Sequence, residues 1–576
     1  MNTSLSLQTH LVAALLGLST YTFYYHHGEH HLFPHRHLQA LIVLFILILL
    51  SQRLLNPTLP LFSTIQTTTT LTTTYLASLY TSLTIYRLFL NPLNKFPGIP
   101  LSNLSHLSLT LRVARPKNLY LQLHALHKNH ASKFIRTGPN DLSISDAAIV
   151  RVALSGTSKF IKAPWYSITH PFYSLFTARD RAGHDPRRRV WSPAFSERAL
   201  RGYEVRLRQY NDALVDAFEG FAKEEHAHAN ASTSADVDTD VDGKPINVTQ
   251  WFNYWSFDVM GDLAFGQSFH MLQSASGHWV IDLLTSAQVG LGMVIPPWLS
   301  RFLFLCVPGA QSGTKRFIEY AASQMERRMA VQGEQGEPDI THFLIEDFNA
   351  RFGDLSGKGV SEERNIALRK LYFESRLVII AGSDTTSSAM VFLFYHIAKE
   401  EGLLGRLREE IEGLVGAGGD IDARSIQAAP LLNACINETL RLHPVVPSGL
   451  YRKAPPEGAF VGDTWIPGNT TVLVNFYAMG RDESHFVSAD EFIPERFSTR
   501  PDLIKNKDAF IPFSTGPFNC IGKNLALMEM RLLTARLITK FDVAFAPGED
   551  GSDLLQSRDY FTATPNPLYL VFKMRK

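Results

Sequence analysis

A single cysteine occupies a glycine-punctuated turn directly before a predicted helix near the C-terminus. The turn runs from Phe513 to Gly522, contains Gly516, and places Cys520 just ahead of the helix-forming run 524–537. A sulfur at a helix start faces unpaired backbone N–H groups and the positive end of the helix dipole, and both favour the thiolate. Such a sulfur is a ligand or a nucleophile. The alternative is a loop cysteine that only packs.

Three further motifs accompany this turn in a fixed order. The segment Ala381–Thr386 lies inside a long apolar helix, Glu438–Pro444 ends another helix, and Pro494–Phe497 follows about fifty residues later. In this order and at these spacings, the four motifs resemble the signature set of the cytochrome P450 family, the haem-thiolate monooxygenases. Glu-x-x-Arg alone occurs by chance in many helices, but four motifs in order are specific. The resemblance covers roughly Lys95 to the C-terminus.

The resemblance implies a mainly α-helical fold with small β-sheets, formed by a catalytic domain over residues 91–576. Cys520 would be the axial thiolate ligand of haem b iron. Phe513, Gly516 and Gly522 would shape the haem-binding loop around it. These assignments make the turn a cofactor site rather than a packing element.

A row of polar residues in the predicted long helix needs a chemical reason, because their side chains compete with the helix's own hydrogen bonds. In family terms, Thr385 offers a hydroxyl to bound dioxygen and Asp384 passes protons inward. Gly382 would let the helix loosen at an oxygen-sized pocket. The alternative is a satisfied polar kink with no catalytic role.

Basic residues are implied as partners of the haem propionates. The run His184–Ser196 resembles the helix that grips the propionates, which maps the contacts onto His184 and Arg188, and Arg452 matches a further propionate-binding arginine. Charge-assisted bonds from arginine hold carboxylates strongly in a partly dry pocket. Two residues before the cysteine, where the family usually has arginine or histidine, this chain has Phe518. Haem binding would then depend more on the other three residues.

A second set of charged residues is implied to be structural. Glu438 and Arg441 lie one helical turn apart and so share a face. With Arg496 they resemble the family's buried Glu-Arg-Arg network. Removing one member would leave a buried charge without its partner, at a cost of roughly 3–5 kcal/mol.

The N-terminal residues 1–90 are predicted to be a membrane anchor of transmembrane helices. Segment 5–25 is largely apolar, segment 38–50 is strongly apolar, and segment 54–86 is free of charged residues but diluted by threonines. A helix needs about 20 residues to span a bilayer, so we expect about two to three spans. Because no Lys or Arg precedes Arg36, a cleaved signal peptide is disfavoured.

Two polar stretches lie outside the motifs. A histidine cluster between the first two apolar segments is either a metal site or a solvated loop; it consists of His26, His27, His30, His31, His35 and His37. Residues 224–245 are rich in Ala, Ser, Thr and Asp and resemble the opening of a calcium loop. The twelfth position counted from Asp238 is Thr249 rather than glutamate, so we expect a disordered insertion instead.

Composition excludes some partners. The chain has 55 Lys+Arg against 54 Asp+Glu, so its formal charge of +1 implies no nucleic-acid partner. Its three cysteines form no disulfide framework, which fits a reducing, cytosol-facing environment. Positive residues Arg87 and Lys95 after the last apolar segment place that side in the cytosol. The predicted location is the endoplasmic reticulum membrane.

The resemblance implies a monooxygenase that inserts one oxygen atom from O2 into a lipophilic small molecule. Electrons would come from NADPH-cytochrome P450 reductase, with cytochrome b5 as a second candidate donor and Arg187, Arg189 and Lys523 as docking contacts. Segment 517–523 is similar to fungal enzymes of secondary metabolism, such as alkaloid or terpenoid hydroxylases. One rival is a same-fold isomerase or dehydratase, which the pair Asp384 and Thr385 argues against. The other is a non-catalytic membrane haem sensor, which needs no proton relay.

Overall fold

The computed structural model of the chain describes residues 2–229, 243–277, 279–331, 338–353, 361–415 and 421–575. Helices predominate, which confirms the predicted fold class. Three helices come first: α1 (Asn2–Thr20), α2 (Pro34–Leu55) and α3 (Leu61–Ile85). The helices that follow are α4 (Leu107–Val113), α5 (Leu119–Asn129), α6 (Ala148–Ala153), α7 (Arg181–Trp191), α8 (Glu197–Ala229), α9 (Val248–Phe265), α10 (Met271–Ser274), α11 (Trp279–Gly292), α12 (Pro297–Cys306), α13 (Ser312–Ala330), α14 (Ile340–Phe352), α15 (Glu362–Lys399), α16 (Leu403–Glu412), α17 (Ala423–Gln427), α18 (Pro430–Leu442), α19 (Phe476–Gly480) and α20 (Lys523–Lys540).

The strands are short and form four small sheets within the described residues. They are β1 (Phe134–Gly138), β2 (Asp141–Ile144), β3 (Ile161–Lys162), β4 (Ile246–Asn247), β5 (Leu450–Lys453), β6 (Ala459–Val461), β7 (Thr464–Ile466), β8 (Thr471–Val474), β9 (Phe541–Phe545), β10 (Arg558–Tyr560), β11 (Thr562–Thr564) and β12 (Tyr569–Met574). The largest sheet has the order β1-β2-β8-β5-β3, and a second has the order β4-β12-β9. In the largest sheet β3 runs antiparallel to β5, with Lys162 opposite Arg452.

Two helices form the centre of the core. The side chain of Asn247 caps the start of α9 by accepting from the Gln250 amide at 3.2 Å. The helix ends at Gly266, whose φ of 69° is the left-handed conformation that glycine favours at a helix end. Helix α15 packs along α9 and is buried continuously from Thr386 to Ile397. This burial places the polar motif of α15 where the core meets the candidate site.

The N-terminal helices differ in how apolar they are. Among the described residues, two helices are long and apolar enough to cross a membrane, α2 and the core helix α15. Helix α2 has a mean hydropathy of 2.2 and is not buried inside the protein, whereas 67% of the α15 window is buried. Helix α3 contains threonines, such as Thr68 and Thr72, whose hydroxyls donate to carbonyls four residues earlier. One N-terminal helix therefore meets the criterion for a span, and the number of spans stays a prediction.

The two polar stretches have different outcomes. Of the predicted disordered insertion, residues 230–242 lie outside the described residues, and the residues just before them continue α8 to Ala229. In the histidine cluster, the ring of His30 bonds to the backbone carbonyls of Tyr24 and His27. No group of three or more metal-ligating side chains exists in the part of the chain that the structure describes.

Candidate active site

A tight loop before α20 presents Cys520. The Cys520 amide donates to the carbonyl of Phe513 at 2.9 Å, and the Asn519 amide donates to the carbonyl of Gly516 at 3.2 Å. Gly516 has a φ of 68°, and a Cβ there would lie 2.0 Å from the carbonyl oxygen of Leu154. Only glycine fits this position. Gly522 is the residue before the first turn of α20, so the loop delivers the sulfur to the helix start.

The Cys520 sulfur lines a cavity. The residue is accessible to solvent, yet burial raises the pKa of its thiol. The Gly522 amide, Arg188 and Lys523 lower that pKa, in the direction expected at a helix start, but burial outweighs them. The expectation that the helix start alone secures the thiolate is therefore wrong. A coordinated cation is needed in addition.

Three basic side chains surround the ring of Phe518. The Nζ of Lys162 lies 4.7 Å from the ring centroid and the Arg452 guanidinium carbon 5.5 Å. The His184 ring meets it edge-on, with 4.5 Å between the centroids. All three basic residues are buried. Phe518 thus replaces a charge by an aromatic face against which neighbouring charges rest.

These buried cations lack a matching anion. Lys162 donates only to backbone carbonyls, the better bond being 2.6 Å long, and burial lowers its pKa well below the ordinary value. The Nε of Arg452 has no acceptor among the described residues, and burial lowers the pKa of Arg452 as well. The acid that acts on Lys162, Glu374, has its pKa raised to about 7 by burial. An anionic ligand would satisfy these groups.

Sequence reasoning missed Lys162. Its position in the basic pocket depends on β3 pairing with β5, which the chain reaches only much later. The one local signal is its neighbours, because Lys162 stands between Ile161 and Ala163 with Phe160 just before them. A lysine inside an apolar run is unusual, since lysine is rarely buried unless it has a partner.

Arg188 and Arg187 point to different partners. Arg188 donates to the carbonyl and side-chain oxygens of Asn519, at 2.7 and 2.8 Å, and so braces the cysteine loop. Arg187 was predicted to lie on a solvated basic face, but it forms an ion pair with buried Glu374, with 3.3 Å between Nε and Oε1. That prediction is wrong, because α7 turns Arg187 inward. Arg189 remains exposed.

The glycine of α15 has another function than predicted. A Cβ at Gly382 would lie 2.5 Å from the sulfur of Met260 on α9, so the glycine allows the two helices to pack closely. The helix is continuous through this point. The expected loosening at Gly382 is therefore wrong. Its neighbour Ala381 is the exposed residue and lines the open space beside the helix.

The polar residues after Gly382 each have a distinct environment. Asp384 accepts from the side-chain amide of Gln288 at 3.1 Å, and burial raises its pKa to about 6. The hydroxyl of Thr385 donates to the carbonyl of Ala381 at 2.8 Å. Thr386, which sequence reasoning left without a role, donates to Glu529 of α20 at 3.0 Å. The segment is thus an array of proton-carrying groups beside the cavity.

The predicted charged network forms one buried cluster. Glu438 accepts two hydrogen bonds from Arg441, each 2.7 Å long, and one of 2.9 Å from Arg496. All three side chains are fully buried. The remaining donors of the two arginines reach backbone carbonyls of the segment 480–491. The cluster therefore ties α18 to the long connection that leads to the cysteine loop.

Aromatic side chains close the far side of the cavity region. Trp165 stacks between Phe561 and Tyr451, at centroid distances of 4.8 and 5.7 Å. Phe176 meets Phe561 edge-on at 5.3 Å. The aromatic-rich loop after β3 thus packs against the turn between β10 and β11.

Comparison with known proteins shows the family. The profile of the family "Cytochrome P450" matches residues 99–572, so the chain belongs to the cytochrome P450 family. It is 40% identical to the cytochrome P450 monooxygenase lcsK of Purpureocillium lilacinum, over 98% of both chains. It is 37% identical to tryprostatin B 6-hydroxylase of Aspergillus fumigatus, over 95% of this chain and 93% of that one. A third relative is the cytochrome P450 monooxygenase notG' of Aspergillus versicolor, 37% identical over 96% of this chain.

The chain is thus a cytochrome P450 monooxygenase, and its family uses haem with an axial cysteine thiolate. The site residues fit that cofactor. An accessible sulfur at a helix start suits an iron ligand. The basic pocket around Phe518 suits carboxylates, because Arg452 keeps an unpartnered Nε and Lys162 has only backbone acceptors. The isomerase and the sensor are set aside, since these relatives are named monooxygenases or a hydroxylase.

Proposed function

We propose that this monooxygenase is anchored in the endoplasmic reticulum membrane, faces the cytosol, and oxygenates a lipophilic aromatic secondary metabolite such as an alkaloid. The observation that carries the site assignment is the accessible Cys520 beside buried cations without a counter-ion. A thiolate ligand and a carboxylate-binding pocket at the same loop are what a haem-thiolate centre requires.

The residues have separate roles in this proposal. Cys520 is the iron ligand, and Arg188, Arg452, His184 and Lys162 hold the propionates. Haem, when bound, supplies the activation of O2 and the transfer of its oxygen. The remaining work of the chain is to hold the ligand loop, exclude water and move protons.

Protons reach the distal side through α15. Burial raises the pKa of Asp384 to about 6, so its carboxyl exchanges a proton within reach of neutral pH. The Gln288 amide donates to one oxygen and fixes the orientation of the carboxylate. Thr385 keeps its hydroxyl on the Ala381 carbonyl, beside the exposed face of the helix. From that position it can turn towards a ligand at the cost of one hydrogen bond.

The substrate class rests on the pocket's aromatic surface and on the relatives. Trp165, Phe561 and Tyr451 present stacked rings, which suit flat aromatic ligands. Two relatives are named tryprostatin B 6-hydroxylase, which supports a hydroxylation in alkaloid tailoring and offers a first compound to test.

The electron donor and the membrane complete the proposal. NADPH-cytochrome P450 reductase is the proposed donor, with cytochrome b5 as a second one, and docks at exposed Arg189 and Lys523. Helix α2 is the apolar segment that supports membrane anchoring. Arg87 and Lys95, after α3, favour a cytosolic catalytic domain by the positive-inside tendency.

The first experiment is the absorption spectrum of the reduced, carbon monoxide-bound protein in membranes. A strongly red-shifted Soret band is expected, because thiolate ligation by Cys520 causes it. A band typical of histidine-ligated haem would contradict the assignment. The Arg452→Ala variant should lose haem on purification, and unchanged haem content would refute the propionate assignment.

Turnover is tested with reductase, NADPH and tryprostatin B as the probe. A product heavier by one oxygen atom, formed only in the presence of all three components, is expected. The matched control is Asp384→Asn, which should slow product formation while the carbon monoxide spectrum stays unchanged, because the haem ligand is untouched. NADPH-independent conversion would contradict the proposal.

A further inference from the structure

The histidine-rich loop between α1 and α2, residues 26–33, touches the catalytic domain. Glu29 at its centre pairs with two basic residues, Arg179 and Lys453. Phe33 meets the His170 ring edge-on at 5.7 Å, and α2 packs against α12. The loop is therefore a docked element and not a free connection between membrane helices.

The contact has the geometry of a clamp. The Glu29 carboxylate accepts two bonds from Arg179, at 2.7 and 2.8 Å, and one of 2.7 Å from Lys453. The three side chains are 25%, 17% and 15% exposed. Burial alone would raise the pKa of Glu29, but the bonds from Arg179 and Lys453 lower it to about 2. Glu29 is therefore ionised throughout the physiological range.

The clamp lies on the reverse side of the propionate pocket. Side chains alternate along a strand, so on β5 Arg452 faces Phe518 while Lys453 faces Glu29. Arg179 is coupled to β3, because its Nε donates to the Lys162 carbonyl at 2.9 Å and the Lys162 amide donates back to the Arg179 carbonyl. The loop is thus fastened to the two strands that also supply the inner cations.

A narrow cavity separates the loop from the catalytic domain. His31 and Leu32 form one wall, and Trp165, Ile168, Leu291 and Phe304 are among the residues opposite. Its volume of about 30 Å³ has room for water and none for a substrate. The Nε2 of His31 has no partner among the described residues. The cavity therefore has an apolar wall, one free polar atom, and Trp165 of the aromatic cluster at its inner side.

We propose that the docked loop is the membrane-side wall of the substrate entrance, and that Glu29 is the positioning residue that holds it closed. The molecules admitted are lipophilic compounds arriving from the bilayer beside α2, with a polar atom that His31 can meet. The loop moves as a unit because its contact to the domain depends on one carboxylate. This inference rests on the proposed function, since haem iron is the reporter in its test.

The test measures how fast two nitrogen ligands reach the haem iron in membrane-bound enzyme. Dodecylimidazole probes entry from the bilayer, and imidazole probes entry from water. In Glu29→Gln, we expect association of dodecylimidazole to accelerate about threefold to tenfold, because two partly exposed ion pairs no longer hold the loop. Imidazole association should stay unchanged. The matched control is Glu457→Gln, which breaks a surface pair with Lys159 of 2.8 Å and should change neither rate.

A charge exchange gives the decisive variant. Glu29→Lys combined with Lys453→Glu restores one anion between two cations and should return the dodecylimidazole rate to that of the unaltered protein. Unchanged rates in Glu29→Gln would overturn the inference, as would equal changes for both ligands. The carbon monoxide spectrum separates the two proposals, because an intact red-shifted band with unchanged rates contradicts only the entrance. A missing band contradicts the haem-thiolate site itself.

Discussion

Phe518 shows how one residue changes the source of a charge. In the family, the position two residues before the cysteine usually carries arginine or histidine. Here the ring of Phe518 lies against Lys162, Arg452 and His184. The basic group beside the cysteine loop therefore comes from β3 and β5 instead. The expected weakening of haem binding is offset by a lysine that the sequence argument did not consider.

We expect Lys162→Met to lower haem retention and to stabilise the haem-free protein. Burial lowers the pKa of Lys162 well below the ordinary value, so the lysine costs stability unless an anion pairs with it. Haem content after purification and the unfolding temperature of haem-depleted protein check the two effects. Lys159→Met is the control, since Lys159 is exposed and should change neither. Lower stability together with unchanged haem content would assign Lys162 a structural role.

Glu529→Gln should remove a pH dependence of stability. Burial raises the pKa of Glu529 from 4.5 to about 8. Protonated Glu529 therefore contributes stability below about pH 4.5 that is lost as the pH rises towards 8. Glutamine keeps the acceptor for Thr386 and cannot ionise, so the variant should gain on the order of 3 kcal/mol relative to the native protein between pH 5 and 8. Denaturant unfolding at both pH values measures the difference, and parallel pH profiles would contradict it.

At the scale of elements, the contact between α9 and α15 controls the shape of the site. Gly382 brings α15 against Met260, and Ser256 of α9 donates to the carbonyl of Ser383 at 2.7 Å. Gln288 of α11 holds Asp384 from another side. The polar segment is therefore positioned by its neighbours, and the helix needs no break to present it.

Gly382→Ala should destabilise the enzyme. The new Cβ would meet three atoms of Met260 at 2.4–2.8 Å, and overpacking of this kind costs about 1–3 kcal/mol, more than the helix propensity gained. Thermal unfolding of the holoenzyme measures the loss. Gly220→Ala is the matched control, because Gly220 in α8 has open space around it and should gain up to about 1 kcal/mol. Adding Met260→Ala should recover part of the loss, and no recovery would contradict the steric explanation.

At the scale of the whole molecule, charge is distributed by position rather than by excess. The formal charge is only +1, yet Arg189 and Lys523 are exposed on the side of α7 and α20 that bears the cysteine loop. Arg187 is withdrawn into an ion pair with Glu374. The docking surface proposed for the reductase therefore has two cations of the predicted three.

The double reversal Arg189→Glu with Lys523→Glu should slow the first electron transfer from the reductase and weaken its dependence on salt. Opposite charges steer association and are screened by ions. Stopped-flow reduction at low and high ionic strength checks this expectation. Lys315→Glu on α13 serves as the control, since Lys315 is 74% exposed. Equal rates in the three proteins would remove these cations from the docking surface.

The sequence by itself determined the family, the fold class and the groups whose chemistry is local in the chain. Cys520 precedes its helix by sequence alone, and Glu438 and Arg441 share a helical face because of their spacing. Asp384 and Thr385 are adjacent residues of one motif. Such features depend on neighbours within a few residues, so they can be identified without the path of the chain.

Only the tertiary structure decided which distant groups meet. Lys162 beside Arg452, Thr386 on Glu529, and Glu29 between Arg179 and Lys453 join residues far apart in the chain. It also turned Arg187 inward and showed that Gly382 serves helix packing. Burial, and the pKa changes that follow from it, depend on what surrounds a side chain in space. The motifs name the chemistry, and the packing of strands and helices around them decides which charges take part.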